Sequence, residues 1–148
     1  MGSFATGVTV VATQHDGRLA GMTLNSFTSV SLEPLLVCVS LAERTRTLEL
    51  VRESERYSVS ILGADQQGVA SEFARAGADF PEQLVTVDRE GHVVVNGALA
   101  LLRCRLFDLV EAGDHHLAVG EVLDFEAGIG QPLVFHRGAF GELTARAA

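Results

Sequence analysis

Three stretches of this chain carry side chains whose type and spacing could serve chemistry. The first is Gly21-Met22-Thr23-Leu24-Asn25-Ser26-Phe27-Thr28-Ser29-Val30-Ser31, where six residues bear a hydroxyl or an amide. Along an extended strand such groups can ring a planar polar ligand with donors and acceptors. They also suit the wet face of an ordinary strand, since threonine is a good strand former. The second stretch, Ser40-Leu41-Ala42-Glu43-Arg44-Thr45-Arg46-Thr47, leads from an apolar run into a helical period. A helix start offers unpaired N–H groups and a partial positive charge, so Arg44 and Arg46 beside Thr45 and Thr47 would make a phosphate site there. Helix capping by Thr45 is the plainer role for the same residues. The third is Gly113-Asp114-His115-His116, a turn presenting two imidazoles. His115, at the tip, is the better candidate, because Asp114 can set its tautomer or raise its pKa. His116 opens the next strand and reads as polar surface.

Several chemistries are excluded. All eleven basic residues are arginine. Without lysine there is no P-loop phosphate contact and no Schiff base. No G-x-S-x-G elbow occurs, and Gly128-Ile129-Gly130 lacks the strand–turn–helix setting of a dinucleotide fingerprint. The histidine pair has no third or fourth ligand near it in sequence, so no metal is expected. The net charge of −8 speaks against nucleic acid. Cys38 and Cys104 stand alone inside apolar runs and read as buried, reduced thiols. No signal peptide and no run of about 18 apolar residues is present, so the expectation is a cytoplasmic protein away from membranes.

Positioning these residues falls to a mainly β chain. Its 148 residues, 47% apolar and 20% charged, suit one globular domain over residues 1–148. Val8 to Thr13 alternates as a strand, and His15-Asp16-Gly17-Arg18 is a hairpin turn. Leu19 to Ser31 reads as a second extended stretch, ended at Glu33-Pro34. Leu35 to Leu41 suits a fully buried strand. Thr45 to Glu53 shifts to helical period with Leu48, Leu50 and Val51 inward. Tyr57 to Leu62 is a strand, and Asp65 caps a helix through Arg75 with Val69, Ala70 and Phe73 inward. Ala98 to Val110 and His116 to Glu126 form a long hairpin, the latter with Leu117, Val119, Leu123 and Phe125 on one face. Pro132 to His136 is a last strand. About seven antiparallel strands favour closure into a barrel, which removes edges.

In this order the residues resemble a known family. Phe4-Ala-Thr-Gly-Val-Thr-Val-Val11, Gly21 to Pro34, Leu36-Val-Cys-Val-Ser40, Arg44-Thr-Arg-Thr47, Asn96-Gly-Ala-Leu-Ala100, Ala112-Gly-Asp-His115, Val119-Gly-Glu-Val122 and Phe135-His-Arg-Gly138 are similar to the short-chain NAD(P)H:flavin oxidoreductases of the FMN-binding split-barrel family. The resemblance spans nearly the whole chain. It implies a Greek-key split β-barrel of six to seven antiparallel strands with two or three short helices, and a homodimer with flavin near the subunit interface. It implies hydride transfer from NADH or NADPH to FMN, FAD or riboflavin, with reduced flavin passed to a separate monooxygenase. Carried over by position, Thr23, Asn25 and Ser26 would lie along the flavin. The backbone of Cys38, Val39, Ser40 and Leu41 would meet its ring edge. Arg44, Thr45 and Thr47 would hold the phosphate, His115 would stand by the nicotinamide, and His136 and Arg137 would lie on the pyridine-nucleotide side.

Three departures stand out. A short helix usually precedes the Phe-Ala-Thr-Gly strand in the family; this sequence begins almost at that strand, so such a helix is missing or lies outside it. Asp79-Phe80 replaces a basic residue before phenylalanine, and Phe140 stands where tyrosine is common. Two other readings of the residues stay open: a non-enzymatic flavin-binding module, and a split-barrel oxygenase that keeps its flavin.

Overall fold

Alternating β-branched residues and an Asp-Gly turn begin the architecture. The computed structural model describes residues 2–143. After a two-residue strand β1 (Thr6–Gly7), β2 (Thr9–His15) and β3 (Arg18–Leu24) form the expected hairpin. Asp16 and Gly17 both take positive φ, 48° and 74°, as a two-residue type I′ turn requires. Then come β4 (Thr28–Leu32), β5 (Leu35–Ala42), helix α1 (Arg46–Ser54), β6 (Arg56–Ile61), a 3₁₀ turn at Ala64–Gln66 and helix α2 (Gln67–Phe73). A second 3₁₀ turn, Glu82–Leu84, leads to β7 (Val85–Val87), which pairs with β8 (Val93–Val95). The long hairpin of β9 (Ala100–Ala112) and β10 (His115–Ala127) follows, then β11 (Val134–His136) and β12 (Ala139–Gly141).

Seven strands share one antiparallel sheet in the order β3-β2-β6-β9-β10-β5-β4, and β1, β11 and β12 form a second, smaller sheet. Consecutive strands β3 and β4 thus lie at opposite edges of the large sheet, although only Asn25, Ser26 and Phe27 join them. In a flat sheet those edges would be about 29 Å apart. The link can reach about 15 Å. The sheet therefore curls until its edges approach, giving a Greek-key barrel split between β3 and β4. The single extended stretch expected over Leu19–Ser31 is in fact two strands flanking that split. Both halves alternate alike, so periodicity could not show the break.

β2 is buried on both faces. Val11 points into the barrel with Val37, Val39, Leu41, Tyr57, Val59 and Cys104, and Leu48 and Val51 of α1 join that core. Val10 and Ala12 point the other way, into a second core with Ala70 and Phe73 of α2, Val93, Val95 and Leu133. Gly120 lets the two long strands pass Tyr57: a Cβ there would fall 2.7 Å from Tyr57 Cζ and 2.9 Å from Cys104 Cβ. The Tyr57 hydroxyl donates to the Ala118 carbonyl at 3.1 Å.

Three expectations are corrected. Asp65 lies inside the 3₁₀ turn rather than capping a helix to Arg75; the Gln66 side chain accepts from the Gly63 amide, and α2 runs only from Gln67 to Phe73. The single apolar face expected on β10 is broken by a bulge between Val122 and Asp124, and Leu117, Leu123 and Phe125 are exposed. His116, Ala118 and Gly120 take the inner positions, where Gly120 leaves room for the Tyr57 ring. His116 is therefore buried, not surface filler.

Candidate active site at the barrel split

β5 is the strand around which the candidate residues gather. On one side it pairs with β10, Ala42 opposite His115 and Ser40 opposite Leu117. On the other it pairs with β4 only as far as Cys38, which stands opposite Thr28. Cross-strand partners share a face, so Cys38, Ser40, Ala42, His115, Leu117 and Val119 look outward. Val39 and Leu41 put their side chains in the core.

Backbone direction alternates with the same period. Ser40 turns its N–H and C=O toward the split, where the Ser26 hydroxyl accepts from its amide at 3.0 Å and donates to its carbonyl at 3.3 Å. Val39 and Leu41 turn theirs to β10. Within the backbone expected at the ring edge over 38–41, Ser40 is the rung that faces the split beyond the paired Cys38, and Ala42 follows it on the same edge. The Ala42 carbonyl is taken by the amide and hydroxyl of Thr45, at 3.2 and 2.8 Å.

Thr45 is the N-cap of α1, and its hydroxyl accepts from the Leu48 amide at 3.3 Å. With one hydrogen donated and one accepted, Thr45 is engaged in the fold. Arg44 and Arg46 are different: among the described residues neither forms an ion pair. They line a cleft of about 590 Å³ with Glu43, Thr45, Glu49, Arg52 and Glu53. Arg18 engages Glu49 at 3.4 Å and also pairs with Glu53, so two of the three carboxylates of the cleft already have an arginine partner. Thr47 is buried at the first turn of α1.

The β9–β10 turn closes on this corner. The Glu43 amide donates to the Asp114 carbonyl at 3.0 Å, and His115 Nδ1 meets Asp114 Oδ1 at 2.8 Å. That hydrogen bond holds the exposed Asp114 carboxyl below its ordinary value. The Asp114 contact places the proton on Nδ1, leaving Nε2 as an acceptor. Behind it, His116 Nε2 meets the Arg52 guanidinium at 2.7 Å, tying α1 to β10. An arginine only donates, so the His116 hydrogen is on Nδ1, which is buried without a partner. Sequence gave no signal for this tie beyond the strand alternation that buries His116.

The remaining candidates disperse. Thr23 donates to the Ala70 carbonyl at 2.6 Å, so its hydroxyl fastens α2 to β3. Asn25 is exposed in the link beside Ser26. Cys38 is buried, and burial pushes its thiol up, as it pushes Cys104 up to about 12; both are free thiols. His136 and Arg137 sit on the β11–β12 hairpin of the other sheet. Among the described residues no hydrogen bond, ion pair or strand pairing joins them to β5, α1 or β10.

This geometry fits a flat ligand with an anionic tail: an open strand edge at Ser40 and Ala42, an outward apolar face beside it, and two unpaired arginines about one helix start. An antiparallel split barrel with such an edge defines the class. The sequence matches the flavin reductase like domain over residues 1–144, and the chain belongs to that family. It is 42% identical to an NADH-dependent flavin reductase of a Rhodococcus species, covering 97% of this chain and 82% of that one. It is 38% identical to the reductase component of a 4-nitrophenol 4-monooxygenase/4-nitrocatechol 2-monooxygenase of Rhodococcus opacus, over 97% and 78% of the two chains. The solved structure of an NADH:FAD oxidoreductase of Streptomyces globisporus, in complex with NAD and FAD fragments, superposes with a TM-score of 0.93 at 33% identity, over 99% and 90%. Among the described residues no helix is long and apolar enough to cross a membrane.

Proposed function

We propose that this chain reduces free flavin with hydride from NADH and releases the reduced flavin to a separate flavin-dependent monooxygenase in the cytoplasm. Bound flavin would supply the redox chemistry: it accepts a hydride, two electrons and one proton, from the nicotinamide and a second proton from water, leaving NAD⁺. The protein's part is placement. Ser40 and Ala42 offer the strand edge against which a flat ring can lie. Arg44 and Arg46 supply charge-assisted bonds to a phosphate. Thr45 shapes the helix start that presents them, and Thr47 fills the turn behind. His115, fixed by Asp114, stands partly exposed at the corner where a nicotinamide would approach. The single observation that carries this reading is that the end of β5 brings together the open rung at Ser40, His115 on the neighbouring strand β10 and the unpaired Arg44 and Arg46 that follow it, in a chain of this family.

The chain is proposed to work as a homodimer. Phe107, Val110, Leu117, Leu123 and Phe125 are exposed along the long hairpin, and large apolar side chains left exposed in that number mark a surface that a partner covers. A second copy would cover it and enclose the outward face of β5; His136 and Arg137 could then serve the nucleotide side from the partner.

The deciding experiment is NADH oxidation by the purified chain with and without added FMN, FAD or riboflavin, alongside light scattering. Turnover that needs free flavin and a dimeric mass support the proposal. A yellow protein that never oxidises NADH, or oxygenation of a substrate by this chain alone, would replace it.

A further inference from the structure

We infer that Ser26 is a displaceable stand-in for the ligand: its hydroxyl holds the Ser40 rung while the split is empty and hands the Ser40 N–H to the flavin ring edge when flavin enters. This rests on the flavin reading above. The ladder between β4 and β5 stops at Thr28 and Cys38, so Ser40 is the first rung on that edge without a strand partner. An unpaired strand edge needs its donors and acceptors met. One hydroxyl meets both, accepting from the Ser40 amide at 3.0 Å and donating to its carbonyl at 3.3 Å. A hydroxyl can do this because it donates once and accepts twice.

The hold is built to be given up. Ser26 is exposed and lies in the three-residue link outside any strand, while Phe27 beside it packs on the barrel core. Rotation about one side-chain bond removes the hydroxyl without moving the backbone. The neighbouring rung differs, because the Ala42 carbonyl is taken by Thr45, whose hydroxyl also caps α1. The Ser40 amide is thus a donor on this edge that a planar ring with a carbonyl or imine acceptor can take by displacing one exposed hydroxyl. Any such ring competes with a hydroxyl that is always present at the same site. That competition weakens retention and speeds exchange, as suits a flavin used as substrate. Ser26 is accordingly a positioning residue.

The test measures FMN affinity by fluorescence quenching, and hydrogen exchange of the Ser40 amide, for the unaltered chain, Ser26→Ala and Ser26→Thr. Loss of one competing hydrogen bond should tighten FMN binding by Ser26→Ala about three- to tenfold, with slower FMN dissociation. Without FMN the Ser40 amide should exchange faster in Ser26→Ala, and FMN should protect it in all three proteins. Ser26→Thr, which keeps the hydroxyl, should match the unaltered chain. Weaker FMN binding by Ser26→Ala would show that Ser26 itself grips the flavin and overturn the handover. Unchanged affinity, or an unchanged Ser40 exchange rate, overturns it too. If no protein of the set binds FMN, the reductase reading falls and the handover with it; a faster Ser40 amide in Ser26→Ala would then report the hydroxyl hold alone.

Discussion

Replacing Arg44 and Thr45 separately distinguishes a phosphate site from a helix cap. Thr45 donates to Ala42 and accepts from Leu48, so Thr45→Val removes a cap worth about 1 to 2 kcal/mol. In a chain of this length that lowers Tm by about 2 to 4 °C for each kcal/mol. FMN and riboflavin should be affected alike, since the change acts through the fold. Arg44 has no ion-pair partner among the described residues, so Arg44→Ala should leave Tm within a degree or so. A charge-assisted bond to phosphate is worth about 1.5 to 3 kcal/mol, which is roughly ten- to a hundredfold in Kd. FMN should weaken by that factor while riboflavin, with the same ring and no phosphate, stays unchanged. The gap should narrow with added salt, because Arg44 is exposed. Flavin fluorescence titrations of both ligands against both variants measure it. Equal weakening of FMN and riboflavin by Arg44→Ala would refute the phosphate assignment, and a Thr45→Val protein of unaltered Tm would refute the cap.

Gly120→Ala should be among the most damaging small changes, because the added methyl meets Tyr57 and Cys104 at less than contact distance; overpacking of this kind costs about 1 to 3 kcal/mol, read as a lower midpoint in urea. His92 is buried with both ring nitrogens unpartnered and Asp88 3.7 Å away, and burial lowers its pKa. The unfolded chain therefore binds a proton that the folded chain refuses, so stability is lost as pH falls below about 6.5. Thermal melts from pH 8 to 5 should show that decline, and His92→Leu should flatten it; an identical slope would clear His92. His115→Ala should reduce NADH turnover several-fold, one hydrogen bond being worth about 1 kcal/mol, with FMN affinity nearly unchanged; the reverse pattern in steady-state kinetics and titration would remove His115 from the nicotinamide side.

Much of this protein was set by local chemistry that the sequence displays. Asp16-Gly17 dictates a turn with two positive φ angles, and the β-branched flanks dictate the strands on either side. The helical period from Thr45 placed α1 within a residue of where it lies, cap included, because one hydroxyl at the right offset satisfies an orphan amide. Val85-Thr86-Val87 and Val93-Val94-Val95, which form β7 and β8, carry the same kind of β-branched signal over only three residues each.

Tertiary structure alone decided which groups remain free. Leu19–Ser31 reads as continuous, and only the curling of a seven-stranded sheet places its halves across a split. Thr23, Ser26 and Thr47 look equally available in sequence; folding commits Thr23 to α2 and Ser26 to Ser40, and buries Thr47. His115 and His116 are adjacent and alike, yet strand alternation sends one out beside Asp114 and the other in against Arg52. On β10 the hydrophobic pattern suggests one face, but a bulge after Val122 breaks it, Gly120 makes room for Tyr57 inside the barrel, and Leu117, Leu123 and Phe125 are left exposed.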